Sequence, residues 1–183
     1  KREDAKRRFF NGQLTYKEWA EHDINLWKER GAKKHEFFKA IEHLKLMDGA
    51  METFHELKKR GIKLAIISGS LNILLEKFIP NYEEFFDDVF LSRIYFDDEG
   101  NIAKVEATEY DMDAKALALK KIAEREGISL KECAFVGDYL NDMKIIQEAG
   151  LGIVFNCDYD ELKKVADVVI DRKDLREILR HIL

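Results

Sequence analysis

Ala134-Phe135-Val136-Gly137-Asp138-Tyr139-Leu140-Asn141-Asp142 is the stretch on which the reading of this chain turns. Three apolar residues end at a glycine and an acid, the pattern of a buried strand that delivers a carboxylate to its tip. A helix over Asn141 to Ala149 follows and closes at Gly150. Downstream, Leu151 to Phe155 and Val168 to Ile170 read as further short strands. Upstream, Ala114 to Glu126 reads as a helix, and Val89–Tyr95 with Ile102–Glu106 reads as a hairpin around Asp97-Asp98-Glu99-Gly100-Asn101. Leu71 to Phe78 is helical and is stopped by Pro80, Ile62 to Ile67 reads as a buried strand, and Ala50 to Arg60 is a helix ending at Gly61. Strands alternating with helices predict an α/β fold with a parallel sheet and right-handed crossovers.

The first third has another character. Asp4–Phe10, Thr15–Arg30 and Lys34–Leu44 carry apolar residues at helical spacing, and Thr15 with Glu18 forms a capping-box pattern. Residues 1–46 are therefore expected to form a helical unit ahead of an α/β core at 47–183. Hydrophobic residues make up 46% of the 183 residues and aromatic ones 11%, enough to build a core and to exclude a disordered chain. Apolar runs such as Leu64-Ala65-Ile66-Ile67 fall far short of the ~20 residues that span a bilayer, so no membrane partner is expected. A net charge of −5 argues against nucleic acid as a partner but leaves small anions open, because a local pocket can oppose the global field. Cys133 opens one strand and Cys157 follows another. In parallel strands these sulfurs stand at opposite ends, roughly 10 Å or more apart, so reduced thiols and a cytoplasmic location are expected. Charged residues reach 37% and glutamine occurs only at Gln13 and Gln147, a bias like that of proteins from hot environments.

Ligands of such sheets bind beyond the carboxyl ends of the strands. Ser68-Gly69-Ser70 after Ile67 offers a hydroxyl and backbone N–H groups that can hold an anion; an ordinary capped turn has the same sequence. Asp138, Asn141 and Asp142 are hard oxygen donors of the kind Mg²⁺ prefers, although Asn141 or Asp142 could equally cap the next helix. Lys115 near a helix start opposes the macrodipole, which either a buried anion or simple solvation accounts for.

These segments together resemble the haloacid dehalogenase superfamily, on its phosphoserine phosphatase-like branch. Ser68 in Ile66-Ile67-Ser68-Gly69 matches the second motif, Lys115 the third-motif lysine, and Gly137-Asp138-Tyr139-Leu140-Asn141-Asp142 the fourth motif. The likeness runs from about Leu46 to Ile170 and makes residues 1–46 similar to that branch's helical cap. It implies a Rossmann-like three-layer core and an Mg²⁺-dependent phosphatase that works through an aspartyl-phosphate on a small phosphorylated metabolite. In that scheme Asp138 ligates the metal, with Asp142 in or just behind its shell. Ser68, Gly69 and Lys115 bind the phosphoryl group, and Asn141 helps to position it.

Two departures stand out. Nothing here matches the first motif, Asp-x-Asp-x-Thr: Asp4 lies in a charged helix, and neither Asp97-Asp98 nor Asp111-Met112-Asp113 follows a buried strand ahead of the cap. The expectation is a preceding segment of about 20–30 residues whose strand ends in that motif and pairs between Ile62–Ile67 and Ala134–Val136. The place of the family's carboxylate-binding cap arginine falls on or near Asp23, which predicts poor turnover of phosphoserine. Two rival readings remain from the residues alone: a binding module without a nucleophile, and a receiver-like phosphoacceptor domain, which would have no helical cap.

Overall fold

A computed structural model describes residues 1–183. Three helices come first: α1 (Arg2–Phe10), α2 (Tyr16–Glu29) and α3 (Lys34–Ala40). The capping box that starts α2 is formed, with the Glu18 amide donating to the Thr15 hydroxyl and the Glu18 carboxylate accepting from Thr15. Helix α3 ends at Ala40, short of the expected Leu44, because Lys77 donates to the Ile41 carbonyl at 2.6 Å and closes the turn there. Helix α2 buries Ile24 against Ile94 and Ile102, so the N-terminal helices rest on a β-hairpin.

The remaining elements alternate. Helix α4 (Ala50–Lys59) leads to β1 (Ala65–Leu71) and α5 (Asn72–Phe78), then to β2 (Asp88–Phe96) and β3 (Ile102–Glu106). Helix α6 (Ala114–Glu126), β4 (Ala134–Gly137), α7 (Met143–Glu148), β5 (Leu151–Phe155), α8 (Asp160–Lys163), β6 (Val168–Ile170) and α9 (Leu179–Ile182) complete the chain. The strands form two three-stranded sheets, β1-β2-β3 and β4-β5-β6. All pairings are parallel except that of β2 with β3, the expected hairpin. Ile67, Ala116, Leu119 and Ile145 share one buried cluster, which packs β1, α6 and α7 together. In the second sheet Ile153 and Val154 are fully buried on β5.

Two boundaries differ from expectation in ways that matter. Strand β1 begins at Ala65 and runs on through Ser68-Gly69-Ser70, where the reading of the sequence stopped at Ile67. Pairing with β2 lapses there: Ile67 faces Phe90, and the next partners are Leu71 and Ser92. Within this stretch the Ser70 amide turns to the Ser68 hydroxyl at 3.1 Å. After β4, Leu140–Asp142 form a 3₁₀ turn before α7, so the helix starts later than Asn141.

Gly150 marks the tightest approach in the second sheet. Its N–H donates to the Leu130 carbonyl at 2.7 Å, and a Cβ would collide with the backbone of Lys131. Gly150→Ala is expected to destabilise the protein by about 1–3 kcal/mol, the usual cost of overpacking against an unyielding neighbour. Urea denaturation checks this; an unchanged midpoint would contradict the packing described. Cys133 and Cys157 are both free thiols, and no helix is long and apolar enough to cross a membrane.

Candidate active site

The C-terminal ends of β1 and β4 and the start of α6 bring most of the expected residues together. The turn into α6 is sharp because Met112 takes a left-handed backbone conformation, φ 51°, which costs a non-glycine residue about 1–3 kcal/mol. That turn lets the Ala114 amide reach the Asp111 carbonyl and sets Asp111 and Lys115 one helical turn apart. Lys115 is buried, 6% exposed. Its ammonium donates to Asp142 Oδ1 at 2.7 Å and lies 3.6 Å from Asp111 Oδ1. The placement against the macrodipole thus reflects buried carboxylates and not solvation.

Asp142 is 3% exposed and both its oxygens are engaged: Oδ1 by Lys115, and Oδ2 by the amides of Asp138 (3.0 Å) and Tyr139 (3.1 Å). It holds the turn that carries Asp138. Asp138 is exposed and no protein group donates to its carboxylate. Partial desolvation and the neighbouring Asp142 charge raise its pKa above the ordinary carboxylate range, and Lys115 opposes them. Asn141 donates its amide to Asp111 Oδ1 at 2.8 Å. The Ser68 hydroxyl is bonded locally, accepting from the Ser70 amide at 3.1 Å and donating to the Ser70 hydroxyl at 3.0 Å. Gly69 is the member of that motif in the network. A Cβ there would collide with the Asp111 carboxylate and the Tyr16 hydroxyl.

Asp111 and Tyr16 are the residues that reading the sequence missed. Asp111 is buried and joins Asn141, Lys115 and its own Met112 amide at 2.8 Å. The hydroxyl of Tyr16, the first residue of α2, stands beside the Asp111 carboxylate at Gly69; burial and the Asp111 charge push the phenol well above its usual range, so the hydroxyl stays protonated. Asp111 was findable from its spacing to Lys115; nothing local points to Tyr16. Asp23 lies 3.1 Å from Arg2 and 3.2 Å from His22.

No cluster of three acidic, histidine or cysteine side chains forms a complete protein metal cage. Mg²⁺ keeps several waters and takes one or two carboxylates plus substrate phosphate. The free carboxylate of Asp138, with Asp142 fixing it, fits that demand.

A family model for haloacid dehalogenase-like hydrolases matches residues 1–150. The chain belongs to that family. Within it, this hydrolase falls on the phosphoserine phosphatase-like branch. It is 36% identical over 171 residues to the phosphoserine phosphatase of Methanocaldococcus jannaschii, covering 93% of this chain and 79% of the relative. To the phosphoserine phosphatase of Archaeoglobus fulgidus it is 31% identical over 168 residues, covering 92% of this chain and 47% of that longer relative. Among solved structures, a substrate-bound phosphoserine phosphatase complex superposes with a TM-score of 0.74 at 33% identity, over 100% of this chain and 84% of that one. A phospho-aspartyl intermediate analogue of phosphoserine phosphatase gives 0.73, also at 33%, over 100% and 85%.

Proposed function

We propose that this hydrolase is an Mg²⁺-dependent phosphatase acting on a small phosphomonoester through an aspartyl-phosphate intermediate. The observation that carries the reading is the buried Lys115 ammonium, bonded to Asp142, whose other oxygen holds the Asp138 turn, and 3.6 Å from Asp111, which stands against Gly69. Phosphoryl transfer spreads charge over three terminal oxygens, so catalysis rests on fixed donors more than on covalent chemistry by the protein. Lys115 and Asn141 present such donors, and the amides around Ser68 and Gly69 add backbone N–H groups. Being held in place already, these groups need no reorganisation as charge develops. Asp138 would hold the metal and Asp142 would fix its orientation. When bound, Mg²⁺ supplies further neutralisation of phosphoryl charge. The related structure of a phospho-aspartyl intermediate analogue supports the covalent route.

In this reading residues 1–46 are a helical cap over a core of 47–183, in the cytoplasm. The nucleophilic aspartate belongs on a strand between β1 and β4, each of which has a single hydrogen-bonded neighbour and carries half of the site at its C-terminal end. The test is inorganic phosphate release by the full-length protein from phosphoserine, glycerol phosphate and p-nitrophenyl phosphate, with a phosphodiester as control. The expected result is Mg²⁺-dependent release from at least one monoester and none from the diester. Phosphate binding with no release from any monoester would favour a binding module instead.

A further inference from the structure

We propose that the Asp111 carboxylate is an internal stand-in for the substrate's phosphoryl group, and that the Tyr16 hydroxyl beside it is a substrate contact supplied by the cap. The inference rests on the proposed phosphatase reading and adds a residue and an autoinhibitory contact to it.

A carboxylate that is 8% exposed needs donors, because burying an unpaired charge is prohibitive. Asp111 accepts from the Met112 amide and the Asn141 side-chain amide, has the Lys115 ammonium 3.6 Å away as an ion-pair partner, and has the Tyr16 hydroxyl beside it at Gly69. Two of these, Lys115 and Asn141, are the side chains to which the phosphatase reading gives the phosphoryl group. Its other oxygen stands against Gly69, with the Tyr16 hydroxyl beside it. An oxyanion thus already occupies the meeting point of the β1 loop, the α6 lysine and the β4 turn, held by a fork of donors from three elements.

Charge makes the occupancy consequential. Lys115 alone faces two buried carboxylates, Asp111 and Asp142. Asp142 is tied down by two backbone amides and cannot leave without unmaking the Asp138 turn. Asp111 is tied to the left-handed Met112, a conformation whose release relieves strain. A phosphoryl dianion entering beside Gly69 would meet the Asp111 charge at close range, so it competes with Asp111 for Tyr16, Asn141 and Lys115. Taking over the Tyr16 hydroxyl would tie the cap helix α2 to the bound anion. Tyr16 packs edge-on against Trp19, ring centroids 6.0 Å apart, so that exchange has an optical reporter.

Calorimetry with inorganic phosphate on the full-length protein, its Asp111→Asn and Tyr16→Phe variants, tests this. Asp111→Asn should bind phosphate at least about fivefold more tightly, since the competing charge is gone and the shape is kept. Tyr16→Phe retains the ring packing and should bind about fivefold more weakly, and should lack the phosphate-induced change in tryptophan fluorescence expected of the wild type. Equal or weaker binding by Asp111→Asn with an unchanged unfolding midpoint would overturn the stand-in. Wild-type affinity in Tyr16→Phe would overturn the cap contact even if Asp111→Asn folds poorly. If the wild type binds phosphate and these shifts are absent, this inference alone fails; if none of the proteins binds phosphate, the phosphatase reading fails with it.

Discussion

Lys115→Ala is expected to cost about 3–5 kcal/mol of stability and to abolish phosphate binding. Its ammonium is buried between Asp142 at 2.7 Å and Asp111 at 3.6 Å, and removing one partner of a buried ion pair strands the other charges without compensation. The two effects can be separated. In the double variant Lys115→Met, Asp142→Asn the closer ion pair is removed as a unit and only Asp111 keeps a buried charge, so part of the stability should return. Phosphate binding should not return, because the cation is still missing. Urea denaturation and phosphate calorimetry on both variants check this. A Lys115→Ala protein as stable as the wild type would contradict the buried network, and one that binds phosphate normally would remove Lys115 from the site.

Asp138→Asn is expected to leave the fold intact and to reduce Mg²⁺-dependent phosphate release by at least about a hundredfold. Its side chain is exposed and bonded to no protein donor, while its backbone amide is held by Asp142. Stability should therefore stay within about 0.5 kcal/mol, the usual range for surface positions. The amide keeps the shape but removes the anionic ligand that Mg²⁺ needs. Thermal melts together with Mg²⁺ titrations of phosphate release decide the matter; a variant with normal Mg²⁺ dependence would take Asp138 out of the metal site.

The sequence carried the second sheet and α6 almost to the residue. Leu151–Phe155, Val168–Ile170 and Ala114–Glu126 are continuous patterns bounded by glycine or charge, so local signals suffice. The turn that brings Asp138, Asn141 and Asp142 to the end of β4 was legible because the three are neighbours along the chain. The errors have local causes. Polar Ser68-Gly69-Ser70 hid the continuation of β1, and apolar Ile41 and Leu44 prolonged α3 on paper past the point where Lys77 closes it. Lys115 looked as compatible with water as with burial, because what surrounds it arrives from β4. Tyr16 was beyond reach altogether: it meets Asp111 only after α2 has docked on the β2–β3 hairpin through Ile24. Asp23 shows the converse, an acid whose partner Arg2 lies on another helix.

In the proposed phosphatase the Asp138 carboxylate and the donors around Gly69, Asn141 and Lys115 serve one site. Two ligands that share a site and carry opposite charge must strengthen each other's binding by the same factor. Calorimetric titration of inorganic phosphate into the full-length protein, with and without saturating Mg²⁺, measures that factor directly. The prediction is tighter phosphate binding in the presence of Mg²⁺, with the reciprocal gain in Mg²⁺ affinity when phosphate is present. Phosphate affinity that is the same at zero and saturating Mg²⁺ would contradict it.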